Sequence, residues 1–200
     1  MSATHSLDLE LSSSQYASIA SASNLAITGS RTFMAWIKME SQHEGTIFGK
    51  STSSASNLVR LSVRNSDAKG QFQISGLTTT SNIITANPLP IGIWTHLAGV
   101  FNGSTLAIYV NGELSNSGTA SGSSTDPGGK FGIGVLGDYT AGNYFDGIIS
   151  NAMVFDSGLT QTEIRQYMNT FSVTDANLQG HWLLNNDYTD ESSNGYDLTA

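Results

Sequence analysis

Several groups of side chains in this 200-residue chain are of types that do chemistry. Asp8 and Glu10 alternate with Leu7, Leu9 and Leu11, so both carboxylates fall on one face of a strand. Such a pair could act as acid and nucleophile across a sugar bond, or it could simply sit on a solvated face. His181, in Gln179-Gly180-His181, could serve as a base near neutral pH, while Trp182 beside it reads as core. Asp187, Asp190, Asn194 and Asp197 crowd oxygen donors into one polar stretch. Calcium takes about six to eight oxygens from carboxylates, amides and carbonyls, so this tail is either a structural calcium site without EF-hand spacing or a solvated loop. Tyr139, Asn143 and Tyr144 would suit a glycan, since a ring offers a flat face to a sugar and an amide bonds its hydroxyls; ordinary loop packing is the alternative.

Other motifs read as structural. Gly132 to Gly137 match GxGxxG, but phosphate cradling needs a helix next, and Asp138-Tyr139-Thr140-Ala141-Gly142 follows. His96, between Trp94 and Leu97, reads as a satisfied interior histidine. His5 and His43 have no zinc spacing. Asn102-Gly103-Ser104 is formally a glycosylation acceptor, but a turn already explains it.

The elements that would carry these groups are strands. In residues 94–114, WTHLAGVFNGSTLAIYVNGEL, two Asn-Gly pairs interrupt runs rich in apolar and β-branched residues. Both central positions of a type I′ turn need φ > 0, which Asn tolerates and Gly adopts freely. Asn102-Gly103 and Asn111-Gly112 therefore predict a tight antiparallel meander, with Leu106, Ile108 and Val110 on one face. Further strands are expected in HSLDLELSSSQYASIA, RTFMAWIKM, TIFGK, NLVRLSVRN, GQFQISGL, KFGIGVLG, NYFDGIISNAMVFD and a closing run at LQGHWLL. Ser/Gly-rich stretches at 51–56 and 121–129 read as loops. One short helix is expected within 159–170, where Thr160 and Glu163 have capping-box spacing and Ile164, Tyr167 and Met168 share a face. Trp36, Trp94 and Trp182 each lie in an apolar run and are expected to be buried with their indole N–H groups bonded.

Composition narrows the partners. Only 12% of residues are charged, the net charge is −8, and Lys plus Arg number 8, so no basic stripe exists for a phosphate backbone and an anionic membrane would repel the chain. No apolar run is long enough to span a bilayer. With no cysteine, neither disulfides nor a thiolate metal site is available. The length suits one large sandwich, so residues 1–200 are expected to form a single domain. The opening MSATHSLDLELSSSQ lacks the basic and apolar regions of a secretory signal. The expectation is a mature segment of something larger, or a chain that reaches its destination without the secretory pathway, as a virion protein released by lysis would.

The series SLDLELSSSQYASI, RTFMAWIKM, TIFGK, GIWTHLAGVFNGSTLAIYVNGEL, KFGIG, YFDGIISNAMVFDSGLTQTEI and LQGHWLLNNDYTDESSNGYDLT resembles, in order, the laminin G-like group of concanavalin A-like sandwich domains. The resemblance implies an all-β, two-sheet antiparallel jelly-roll, and in many members a structural calcium ion and a glycan- or protein-binding surface. It also implies that an Asp-rich tail can pack near the first strand and join a metal site. Where the family usually carries an acidic pair after FDG-Ile, this chain has Ser150-Asn151. Glucanases of this broad fold share an E-x-D-x-x-E strand that is missing here. Lyases of the fold use a Gln-x-His pair like Gln179-Gly180-His181, with Arg-x-Glu and Tyr-x-Lys runs that are missing here too. The expected function is a non-catalytic recognition or adhesion module that binds a glycan or partner protein at an extracellular or virion surface. A structural virion protein, decorating a capsid or built into a tail fibre, is the second reading, favoured by the missing signal and absent cysteines. A polysaccharide hydrolase or lyase comes third.

Overall fold

The computed structural model describes residues 6–19, 25, 28–52, 57–137 and 143–200. In chain order the strands are β1 (Leu7–Leu9), β2 (Ala17–Ile19), β3 (Arg31–Met39), β4 (Gly45–Ser51), β5 (Leu58–Val63), β6 (Gly70–Ile74) and β7 (Asn82–Ile84). The second half adds β8 (Thr95–Phe101), β9 (Thr105–Val110), β10 (Glu113–Thr119), β11 (Lys130–Ile133), β12 (Gly147–Phe155), β13 (Leu178–Trp182) and β14 (Leu198–Thr199). All their ladders are antiparallel. The first sheet runs β1-β12-β3-β8-β9-β10, with β13 also on β12; the second runs β14-β2-β11-β4-β5-β6-β7. This is the expected two-sheet jelly-roll. No helix among the described residues is long and apolar enough to cross a membrane.

The meander forms as β8-β9-β10, but its two turns differ. Asn111 (φ 52°) and Gly112 (φ 76°) join Val110 to Glu113 with both central residues left-handed, as a type I′ turn requires. At the other turn Asn102 N donates to Thr105 O, so Gly103 and Ser104 are the central pair and only Gly103 (φ 96°) is left-handed. That is the II′ pattern, correcting the expected I′ turn. The cause is the Asn102 side chain, whose Oδ1 accepts from Ser104 N (3.0 Å) and Thr105 N (2.8 Å) and so holds Asn102 at the first corner.

Apolar residues on the inner strand faces meet in a core that includes Phe33, Phe48, Phe72, Phe131, Phe145 and Trp182. Ring centroids of Phe33 and Phe48, and of Phe131 and Trp182, lie 5.3 Å apart. Gly99 lets the sheets close at this point, because a Cβ there would lie 2.2 Å from Phe72 Cγ. One end of the core is sealed by polar groups. Fully buried Lys50 donates to Leu25 O (2.6 Å) and to Asp126 Oδ2 (2.8 Å), and buried Arg31 donates to Gly29 O. Burial pushes the Arg31 guanidinium down to about 10, against the pull of Asp126.

The helix α1 (Gln161–Tyr167) lies on the outer face of the first sheet, with Ile164 among Met34, Ala98, Val100, Met153 and Phe155. Its capping box forms as the sequence predicts: Thr160 Oγ1 accepts from Glu163 N, and Glu163 Oε2 accepts from Thr160 N. Thr160→Ala should lower stability by about 1 kcal/mol, read as a shifted urea midpoint at unchanged slope. No shift would mean the end is held by packing alone.

Two of the three tryptophans match expectation. Trp182 is fully buried and donates to Tyr196 O (2.9 Å); Trp36 is half-buried and donates to Met168 O (2.6 Å). Trp94, expected in the core, is 37% exposed. It precedes β8 rather than lying within it, in a loop that also exposes Ile91 and Ile93, so no second sheet covers it.

Candidate functional site

The two groups that could have done catalysis, His181 and the Asp8–Glu10 pair, take different places. His181 is fully buried on β13, its Nε2 2.7 Å from Asn151 Oδ1. Asn151 Nδ2 donates to Thr170 O, which turns the amide oxygen towards the imidazole and makes Nε2 the protonated nitrogen. Burial pushes His181 down to about 4, against the pull of Asp190. A neutral ring with no solvent face cannot take a proton from a substrate, so this histidine is structural. Asn151 occupies a bulge in β12 with φ 50°, and its N–H donates to Leu183 O. The Ser150-Asn151 departure from the family's acidic pair thus latches β12 to β13. His96 is likewise buried, edge-on to Trp36 at 5.4 Å, and burial pushes it down to about 3.

Asp8 and Glu10 do meet, joined by a residue the sequence reading had not singled out. With Glu40, at the end of β3, they place three carboxylates within 4.8 Å of one another, all exposed. Register explains it: Asp8 opposes Ile148 and Ile148 opposes Lys38, so Glu10 and Glu40 flank Asp146 one step further on. Desolvation, then Asp8, Glu10 and Asp146, raise the Glu40 carboxyl above its ordinary range, and Lys38 partly opposes them. Asp146 is held by Leu11 N and by the Ser41 hydroxyl. All three side chains are exposed, and Asp8 also borders two surface depressions with Leu7 and Tyr188.

The tail residues serve a different end. Asp190 Oδ1 accepts from His181 N and Ser192 N, and Oδ2 accepts from Ser192 Oγ and Tyr196 N. Asp197 Oδ1 accepts from Asp190 N, Asp187 Oδ1 from Thr189 N, and Asn194 Nδ2 donates to Leu178 O and Gln179 O. Four donors fill the Asp190 carboxylate, and Asp187, Asp190 and Asp197 do not gather their oxygens as the trio does. The network curls the tail back so that β14 pairs with β2. Judged by donor chemistry, the tail does not fit the calcium ion the fold family implies. Among the described residues Asp8, Glu10 and Glu40 bring one carboxylate oxygen each within 4.8 Å of one another, three of the about six to eight oxygens that calcium takes.

The expected glycan contacts fall on the second sheet. Tyr139 lies outside the described residues; Asn143 and Tyr144 are described and half-buried. They follow, in sequence, a flap of residues 134–137 that leaves β11 and packs Val135 and Leu136 on the sheet's outer face. Gly134 N donates to Ile47 O, Thr46 N to Asn143 O, and Phe145 N to Gly134 O. A glycine floor admits it: a Cβ at Gly132 would lie 2.7 Å from Val135 Cγ1, and one at Gly49 3.0 Å from Leu136 Cδ1. The GxGxxG match is this strand-end crossing, with the Gly134 N–H already engaged. Tyr144 stacks on Tyr16 at 6.2 Å and 30°. Tyr16 also borders a groove of about 300 Å³ shared with Asp8, Gln15 and Tyr188, beside a second depression of about 250 Å³ that includes Asp187. Sequence reading missed Tyr16, whose only signal was its place just before an alternating strand.

Beyond the flap the same outer face carries linked polar side chains. Arg60 donates to Gln73 Oε1 (3.2 Å), Glu44 Oε1 (3.3 Å) and Gln71 Oε1 (3.4 Å). Ser62 Oγ donates to Gln71 Oε1, and Gln71 Nε2 to Asn82 Oδ1 (2.9 Å). Beneath them Thr46, opposite Ser62, is fully buried with a hydroxyl that has no partner.

A family model described as the concanavalin A-like lectin/glucanases superfamily matches residues 11–165. No curated protein is similar in sequence to this chain. A candidate carbohydrate binding protein of Bacteroides ovatus has a similar structure, with TM-score 0.73 and 20% identity over 92% of this chain, which spans 55% of that one. Domains LG4-5 of the mouse laminin α1 chain match with TM-score 0.56 and 17% identity over 76% of this chain and 41% of theirs. The CBM40 of a Ruminococcus gnavus IT-sialidase, solved with α2,3 sialyllactose, matches with TM-score 0.57 and 13% identity over 72% of this chain and 84% of its own.

Proposed function

We propose that this chain, which belongs to the concanavalin A-like lectin/glucanases superfamily, is a non-catalytic recognition module that binds glycans on the outer face of its second sheet. The observation that carries the reading is the Tyr16–Tyr144 stack at the edge of that face, with the Asn143 amide next in sequence. Each ring has an apolar body with a hydroxyl at its rim, the pairing a sugar needs, since its C–H faces pack on a ring while its hydroxyls take hydrogen bonds. Support also comes from the similar proteins whose names describe carbohydrate binding. The buried, neutral His181 and the uncovered carboxylate trio argue against turnover. An extracellular or virion surface, where such a module would meet its ligand, belongs to the same proposal.

Tyr144→Ala should weaken glycan binding about tenfold or more, consistent with loss of one well-placed aromatic contact, while the melting temperature moves little because the ring is half-buried. The check is calorimetric titration of both proteins with a panel of oligosaccharides. Equal affinity in the variant would remove the tyrosine pair from the site.

A further inference from the structure

We infer that the loop of residues 88–94, together with the carboxylates of Asp8, Glu10 and Glu40, is a docking surface for a segment of a partner protein that carries apolar side chains next to lysine or arginine. The surface belongs to the first sheet and does not depend on the glycan reading. Of the five large apolar side chains exposed among the described residues, Ile91, Ile93 and Trp94 crowd into four positions, the two isoleucines at 50% and 60% exposure. The backbone holds them there. Leu89 is buried and its N–H donates to Ala68 O (2.8 Å), while Gly92 N donates to Met39 O (2.8 Å) just before β8 begins at Thr95. Pro88 and Pro90 fix φ on either side of the Leu89 anchor. A partner that covers the three side chains therefore gains their burial without having to order the loop that carries them. A tryptophan with aliphatic neighbours, exposed together, has the composition of the buried centre of a protein interface.

Charge identifies what covers them. Ile91 bridges Met39, so the loop runs beside the end of β3, and the next residue, Glu40, meets Asp8 and Glu10 with carboxylate oxygens within 4.8 Å. Glu40 N donates to Asp146 O (3.1 Å), which brings a fourth acidic residue alongside, and Lys38 is the cation that opposes them. Desolvation first, and then these neighbouring carboxylates, raise the Glu40 carboxyl; an arriving ammonium or guanidinium relieves the second cause. The rim of the apolar loop is thus acidic, and a net charge of −8 draws a basic segment towards it. A second copy of this chain fits less well, because a two-fold contact sets the same carboxylates against each other. An anionic membrane is repelled. The side chains of Ile91 and Ile93 offer a sugar no hydrogen bond, so a glycan fits the loop less well than an apolar segment does.

The test titrates the intact chain, in EDTA so that no divalent ion occupies the carboxylates, with short fluorescein-labelled peptides and follows their anisotropy. Each peptide has a Leu-Trp-Ile core flanked by lysines, by glutamates or by serines. The lysine-flanked peptide should bind about tenfold or more tighter than the glutamate-flanked one, by a margin that shrinks severalfold between about 20 mM and about 300 mM salt. Ile93→Ser, at an exposed position outside the core, should weaken the lysine-flanked peptide about tenfold. Asp8→Asn/Glu10→Gln/Glu40→Gln should abolish the preference for lysine. Glu44→Gln/Asp67→Asn/Glu113→Gln, which removes the same charge from surface ion pairs elsewhere, should keep it. Equal loss of preference in the two triple variants would reduce the attraction to net charge and overturn the docking surface. So would parent-like binding by Ile93→Ser, or failure of the parent to bind the lysine-flanked peptide. A dimer in sedimentation that Ile93→Ser dissolves would give the loop to a second copy, and protection of Trp94 fluorescence from quenching by an oligosaccharide alone would give it to a glycan; either result overturns the partner named here.

Discussion

Between pH 7 and about pH 4.5 the protein should lose about 5 kcal/mol of folding stability, through two buried histidines. Burial holds His96 down to about 3 and His181 down to about 4, whereas in the unfolded chain both titrate near 6.5. A base whose folded pKa is depressed binds fewer protons folded than unfolded, so stability is full above the unfolded value and declines as pH falls below it. Each histidine contributes about 2.5 kcal/mol at pH 4.5, and the loss levels off near pH 3 for His96 and pH 4 for His181. The cause is local. Both His96 ring nitrogens and the His181 Nδ1 are buried without a partner, so an added proton finds no acceptor in the fold. Glu40 and Asp156, whose carboxyls are raised, act in the opposite sense, but both are exposed and solvent screens them. Urea midpoints at pH 7, 5.5 and 4.5 measure the effect, and His96→Leu should remove about half of it. Stability that is flat down to pH 4 would show that the imidazoles gain water or partners in solution.

Trp182→Ala should destabilise the fold by about 3–5 kcal/mol, enough to unfold a marginal domain, whereas Trp94→Ala should cost about 1 kcal/mol or less. The contrast follows from burial. Trp182 has no exposed surface, stacks on Phe131 at 5.3 Å and ties the tail to the core through Tyr196 O. Trp94 keeps over a third of its surface in water. Thermal melts of both variants check this. Equal costs would mean that the loop carrying Trp94 folds onto the core more tightly than its exposure indicates.

The difference between these tryptophans shows what sequence can disclose. Alternation and Asn-Gly turns made the strands legible, because a two-residue period and a left-handed pair are local properties. Thr160 and Glu163 disclosed the helix start for the same reason. Which apolar residue ends up under the opposite sheet is a matter of register between distant strands, and WTHLA offers no sign that β8 begins only after Trp94. The short strand β14 was hidden in a polar tail, since its pairing with β2 depends on Asp190 and Asp197 capping the loop before it. The candidate site was legible only in part. Asn143 and Tyr144 stood out as an aromatic and an amide in a loop. Tyr16, which stacks on Tyr144, comes from a distant stretch, and Arg60, Gln71, Gln73 and Asn82 meet only because cross-strand register aligns β5, β6 and β7.

The central claim is recognition without turnover, and one experiment addresses it directly. The protein is titrated with neutral oligosaccharides by calorimetry, and the same samples, after prolonged incubation, are analysed chromatographically for cleavage or unsaturated products. Saturable heat with every oligosaccharide recovered intact is the predicted result. Release of products that Asp8→Asn or Glu40→Gln abolishes would contradict it, placing catalysis at the exposed carboxylate trio instead.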